Sequence, residues 1–349
     1  MIAGRARVRA VFFRRMIVRD LTLKQAAGQI LTVGFEGKKL PVPLMGALMK
    51  GDVGGVIIFR RNIESADQLR ALTGAVNGLK LKYPAWVAVD QEGGKVQRLS
   101  ENVGLERLPS AMEVGKMSEA ETREFARGMA RDIKSFGFNM NFAPVLDIHT
   151  NPENPIIGDR AYGTTPESVT EHAIAVMRGH LDEGIVPCGK HFPGHGDTSL
   201  DSHLETPVVG HSIERLREVE LKPFKAAIDA GMPMIMSAHI VMQGLGERFP
   251  STLSPVVIHD ILRGELGFEG VIVSDDLEMG AIIDNYSIFK AILLGLKAGV
   301  DQFLICKSQY LWENLSKQLV AEAKRDAEVE KRIFEAAERV ISLKERFLA

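Results

Sequence analysis

Two cysteines, Cys188 and Cys306, are all that the 349 residues hold, too few for a disulfide framework. Neither stands in a CxxC or Cys/His spacing of the kind that binds structural zinc, so a reducing compartment is the simpler expectation. Charge of one sign is also missing: 43 Lys and Arg face 45 Asp and Glu, a net charge of −2. No global field therefore favours nucleic acid or an anionic membrane, and the expected partner is a small, roughly neutral molecule. No apolar run reaches the ~18 residues of a membrane span. Arg5, Arg7, Arg9, Arg14 and Arg15 crowd the N-terminus, but the apolar stretch between them, Ala10 to Phe13, is far shorter than the roughly 7 to 15 residues of a signal-peptide core. No export and a cytoplasmic location are expected, with residues 1–15 a disordered extension or a misplaced start ahead of one domain over residues 16–349. No linker, low-complexity tract or short-period repeat divides the chain.

What is present is a balanced globular composition, 45% apolar and 25% charged, enough to bury a large core. Eight short β-rich runs recur along it: Ile30 to Phe35, Val53 to Phe59, Ala85 to Val89, Phe138 to Leu146, Val186 to Lys190, Met234 to Ala238, Gly270 to Ser274 and Gln302 to Cys306. Between them lie stretches with helical spacing: Ser65 to Leu81, Ser118 to Phe136, Pro166 to Glu183, Ile213 to Ala230, Pro255 to Leu266 and Tyr286 to Ala298. Ser65, Ser118, Thr165, Ser212 and Ser254 stand where a side-chain oxygen can cap the first helical turn. Leu311 to Leu348, rich in Glu, Lys and Ala, reads as one or two closing helices. Continuous Val/Ile runs such as VGGVIIF and GVIVS predict strands buried on both faces. Eight βα units without a break predict a single (β/α)8 TIM-like barrel. An open doubly wound sheet is the alternative, but no GxGxxG follows the first strand.

Catalytic groups of such a barrel sit at the carboxyl ends of its strands, and polar residues collect there. Run three ends in Asp90-Gln91-Glu92-Gly93-Gly94, run four in Asp147, run five in Lys190-His191, run six in His239 and run seven in Asp275-Asp276. Taken singly, each has an ordinary reading: Asp90 or Asp276 as a cap, His239 as a satisfied core histidine. Their convergence on one rim is what points to chemistry. The loop after run five carries Lys190-His191-Phe192-Pro193-Gly194-His195-Gly196-Asp197-Thr198 and then Asp201-Ser202-His203, and an ordinary connector has no need of three imidazoles. A metal site built on His191, His195, Asp197 and His203 is one reading, but no HxH or HxxxH pair on a regular element supports it. Acid/base work is better motivated, because Asp201 lies two residues from His203 and can orient the ring and favour its charged form.

KHFPGHGDT with DSH, VDQEGGKVQRL, NFAPVLDI leading to GDRAYG, and GVIVSDDLEMGAI together resemble glycoside hydrolase family 3, in particular its single-domain β-N-acetylhexosaminidases. The likeness runs from about Asp20 to Leu343; the Arg-rich N-terminus lies outside it. It implies Asp275 as nucleophile and His203 as acid/base with Asp201 as its orienting partner. Asp90, Arg98, Arg160, Lys190 and His191 match positions that bind a terminal N-acetylglucosamine. Asp276 matches no catalytic role and is expected to be structural, while His195 and Asp197 shape the loop, which closes over substrate as a lid. The resemblance implies β-linked N-acetylglucosamine released from 1,6-anhydromuropeptides in peptidoglycan recycling; no metal or other cofactor, and a monomer, are expected. Phosphorolysis by the same residues is the near alternative, since a neutral imidazole does not repel phosphate as a carboxylate does. A metal-dependent hydrolase and a silent sugar-binding barrel are more distant ones.

Overall fold

The computed structural model describes residues 21–198, 206–308 and 311–348. Among them, eight parallel strands close into a barrel: β1 (Leu31–Val33), β2 (Gly55–Ile57), β3 (Trp86–Val89), β4 (Met140–Asn141), β5 (Val186–Phe192), β6 (Met234–Ser237), β7 (Val271–Asp276) and β8 (Gln302–Ile305). Each pairs with its neighbour in sequence, and Leu31 opposite Phe303 closes the ring. Each of the eight expected runs coincides with one of these strands, and β5 and β7 extend beyond theirs, to Phe192 and Asp276. Run four is the most shortened, because Pro144 cannot donate to a ladder. The segment after β4 still bonds to β5 irregularly, through Ala143 O, Pro144 O and Leu146 N.

The expected helices form, and their caps do what the sequence predicts. Ser65, Ser118, Thr165 and Ser212 each accept a backbone N–H from the first turn, and Ser254 Oγ accepts from Val257 N. One expected stretch breaks, and the closing segment forms two helices of the one or two expected. Ile213 to Ala230 splits into Ile213–Glu218 and Leu221–Asp229. Pro223 has no N–H and fits only a first turn, so the helix must restart just before it. Leu311 to Leu348 becomes Leu311–Ala323 and Ala327–Leu348, the second capped by Asp326 Oδ1, which accepts from Glu328 N and Val329 N. Residues Val256–Glu265 wind as a π-helix. No described helix is long and apolar enough to cross a membrane.

Two cores hold the barrel. One lies between strands and helices; the other fills the barrel interior with Ile57, Trp86, Ala88, Met140, Phe142, Val186, Cys188, Met234, Met236, Val271, Val273 and Leu304, plugged from below by Val340 and Leu343 of the final helix. Cys188 and Cys306 are both free and buried in this interior. Burial pushes both thiols up, which leaves them inert.

Lys344 enters the same plug from below. It is fully buried, donates to Gln29 Oε1 at 2.7 Å and Gly54 O at 2.6 Å, and lies 5.5 Å from the Trp86 ring centre. Burial pushes its ammonium down from 10.5 to about 7. The unfolded chain therefore binds the proton more tightly than the folded one. The resulting cost is full below about pH 7 and relieved as pH rises toward 10.5. Lys344→Met is expected to flatten the rise of stability between pH 7 and 10, by a few kcal/mol relative to wild type, as read from urea unfolding of both proteins across that range. Parallel curves would contradict the assignment.

Candidate active site

Side chains alternate faces along a strand, and in three strands the inward series changes character only at its last member. Trp86 and Ala88 lead to Asp90, Val186 and Cys188 to Lys190, and Val271 and Val273 to Asp275. Apolar filling thus gives way to charge at the carboxyl mouth of the barrel. A cleft of about 140 Å³ opens there, lined by Asp90, Glu92, Val96, Arg98, Ile156, Arg160, Lys190, His191, His195, Met236 and Asp275.

Local irregularities bring in the rest. A register shift between Gly189 and Phe192, where β5 runs beside β6, inserts one extra residue and lets Lys190 and His191 both reach the cleft, as a bulge does. After β3 the chain turns sharply at Gly93, whose φ of +99° and approach to Pro109 O, 2.3 Å from where a Cβ would stand, only glycine tolerates. Gln91 pins this turn: its Oε1 accepts from Arg98 N and Leu99 N, while its backbone is bracketed by the Asn141 amide. Gly196 is packed against β4's extension so closely that a Cβ would lie 1.6 Å from Ile148 O.

Glu92 is the electrostatic centre. Its side chain is 4% exposed; Arg160 grips it through Nε and Nη2, both at 2.9 Å, and Lys190 Nζ stands 2.6 Å away. Burial alone pushes this carboxyl up, but Arg160 and Lys190 outweigh it and hold the group far below the usual range. Lys190, itself 3% exposed, also donates to Asp90 Oδ1 at 3.0 Å, and Arg98 Nη2 reaches Asp90 Oδ2 at 3.3 Å. Burial pulls Lys190 down, yet Glu92 and Asp90 prevail and keep it raised. Arg98 Nε has no hydrogen-bond partner among the described residues.

Asp147, with no exposure, accepts three N–H groups: Nδ1–H of His191 at 2.6 Å, His191 N, and His195 N at 2.7 Å. Burial opposes its charge, but His191 and these bonds hold it ionised. The His191 ring is thereby fixed, with Nε2 beside Arg160 Nη2 at 3.4 Å. His195 contacts Thr198 Oγ1 at 2.8 Å, and burial followed by His191 pushes it down to about 4, a neutral ring. Asp197 accepts from Thr150 Oγ1 and pairs with His211 Nε2 at 2.6 Å.

At the end of β7, Asp275 Oδ1 accepts from Asp276 N at 2.7 Å. Burial raises its pKa, but His191, His239, that N–H and Lys190 together hold it below the ordinary value. Asp276 turns away to β8: its Oδ1 accepts from Cys306 N and Glu278 N, and burial raises it to about 6. His239 Nε2 lies 3.1 Å from Asp276 O.

The structure therefore gathers Asp90, Arg98, Arg160, Lys190, His191 and Asp275 around one cleft, and gives Asp276 the structural place expected of it. Asp201 and His203 lie outside the described residues, between Thr198 and Thr206. Glu92 and Asp147 were visible in the sequence as rim acids but carried no assigned role; their spacing from Lys190, Arg160 and His191 gave no clue to contact. No group of three His, Cys, Asp or Glu among the described residues is arranged to hold a metal ion.

The glycosyl hydrolase family 3 N-terminal domain matches residues 22–343. A beta-hexosaminidase of Alkalilimnicola ehrlichii is 38% identical over 283 residues, 79% of this chain and 80% of that protein. Among solved structures, a family 3 beta-N-acetylglucosaminidase from Paenibacillus sp. superposes with a TM-score of 0.88 at 37% identity, covering 93% of this chain and 62% of the longer protein. A beta-N-acetylhexosaminidase from Beutenbergia cavernae gives 0.86 at 29% identity, covering 93% and 99%.

Glu92→Gln removes one charge from a buried network and leaves Arg160 and Lys190 short of their counterion. It is expected to lower unfolding free energy by about 3 kcal/mol, measured by denaturant titration at pH 7. A change within about 0.5 kcal/mol, the usual range for a surface substitution, would show that the network holds nothing together.

Proposed function

The chain belongs to glycosyl hydrolase family 3, and from that premise we propose that it is a retaining exo-β-N-acetylglucosaminidase. The observation that carries the reading is the single cleft in which an ionised Asp275 faces Asp90, Arg98, Arg160, Lys190 and His191. In this reading the five polar groups hold the hydroxyls and the N-acetyl group of one terminal sugar. Buried donors and acceptors of this kind reject analogues that leave them unpaired; the unmet Arg98 Nε is such a donor. A small cleft suits removal of one sugar at a time.

The Asp275 carboxylate attacks the anomeric carbon as the glycosidic C–O bond breaks, and His203, oriented by Asp201, gives its proton to the leaving oxygen. The neutral imidazole then takes a proton from water, whose oxygen displaces Asp275 from the anomeric carbon. Two inversions give net retention. The charges around Asp275 keep it ionised, and so nucleophilic, at pH values where an ordinary carboxyl begins to protonate. The natural substrate in this reading is a 1,6-anhydromuropeptide in cytoplasmic peptidoglycan recycling, handled by one domain over residues 16–349.

Asp275→Ala is expected to lower kcat/KM on a chromogenic N-acetylglucosaminide by at least about 10³-fold, and His203→Ala by about 10²- to 10⁴-fold. Wild-type turnover in the Asp275 variant would end the proposal. The first product anomer, followed by NMR, is expected to be β, and to form equally fast without phosphate. A rate that depends on phosphate would assign phosphorolysis instead.

A further inference from the structure

The opposite mouth of the barrel holds a second, unassigned cavity. It measures about 260 Å³ and is lined by the turns that lead into β6 and β7, including Gly231, Pro233 and Gly267 to Gly270, together with Arg339 and Arg346 of the final helix. Arg332, Arg339 and Arg346 recur every seven residues along Ala327–Leu348, which places them on one stripe of that helix.

Positive charge there exceeds what the protein neutralises. Asp301, fully buried just before β8, is shared by three guanidiniums: Arg263, Arg332 at 3.5 Å and Arg339 at 2.9 Å. Arg263 is also bound by Phe268 O and Gly270 O, and Arg332 by Leu296 O and Glu335. Burial pushes Arg263 down to about 10; Asp301 opposes this, and the neighbouring Arg339 and Arg332 add to it. Arg339 has Asp301 as its one ion-pair partner among the described residues, and Arg346, which is exposed, makes a contact with the Phe347 ring. The carboxylate among the cavity's own lining residues is Glu269, on an exposed turn. Four arginines thus meet Asp301, Glu335 and Glu269.

We propose that this mouth binds an oxyanion of the phosphate class, held by Arg339 and Arg346 in forked geometry and offsetting the positive charge that Asp301 leaves unneutralised. The site lies at the amino ends of the strands, away from the cleft, and does not depend on the glycosidase reading. The cavity admits a free phosphate or one carried on a small sugar.

The test is calorimetric titration of the full chain with inorganic phosphate and, separately, with glucose 6-phosphate, at fixed ionic strength and pH 7.5. N-acetylglucosamine is kept saturating so that the cleft does not compete. Wild type is expected to bind one anion, and Arg346→Gln, which leaves the Asp301 network intact, to bind it about tenfold more weakly with turnover unchanged. Arg339→Gln/Arg346→Gln is expected to abolish binding. Tighter binding of glucose 6-phosphate identifies a carried phosphate and weaker binding a free one; both support the site. No binding in wild type, or equal affinity in wild type and Arg346→Gln, overturns it.

Discussion

The carboxylate of Glu92 is the constraint on which the cleft depends. It brings the turn after β3, the inward end of β5 and the segment before helix Pro166–Asp182 to one point, through Lys190 and a two-pronged Arg160. Two cations this deeply buried are costly without a partner of opposite charge. Supplied with one, they become fixed donors in a partly dry site, where a polar group is worth more than in water. Asp90 then carries the same network outward to Arg98, at the exposed side of the cleft.

The barrel was legible because its signal is redundant. Eight βα units repeat the same change of period, the strands are buried on both faces up to the Asp275–Asp276 end of β7, and the caps at Ser65, Ser118, Thr165 and Ser212 mark helix starts independently of hydrophobicity. The errors fell where one residue decides a boundary. Pro223 restarts a helix that a periodic pattern runs through, and Pro144 shortens the strand that Phe138 to Leu146 promised.

The site was legible in part for a related reason. Asp90, Lys190 and Asp275 each continue an inward apolar series, so their place at the mouth follows from alternation once the strands are right. His191 and Glu92 do not follow from it: one reaches the cleft through the extra residue in β5, the other through the Gly93 turn. Asp147 went unassigned because its partners, His191 and His195, are 44 and 48 residues away in sequence. A loop rich in imidazole announces chemistry without saying which ring is held neutral. His195 is, by burial, which makes it a poorer proton donor than its neighbours in sequence imply.

The two mouths of the barrel solve the same electrostatic problem differently. At the carboxyl end Asp90, Glu92 and Asp147 are interlocked with Arg98, Arg160, Lys190 and His191, and Asp275 beside them stays ionised. At the amino end Asp301 and Lys344 sit among partners of unequal number. The central claim concerns the first mouth, and mass spectrometry of the protein treated with a fluorinated N-acetylglucosaminyl donor tests it most directly. The account predicts one covalently attached sugar on the peptide that contains Asp275; a protein that turns the donor over with no adduct, or with the adduct on another residue, would contradict it.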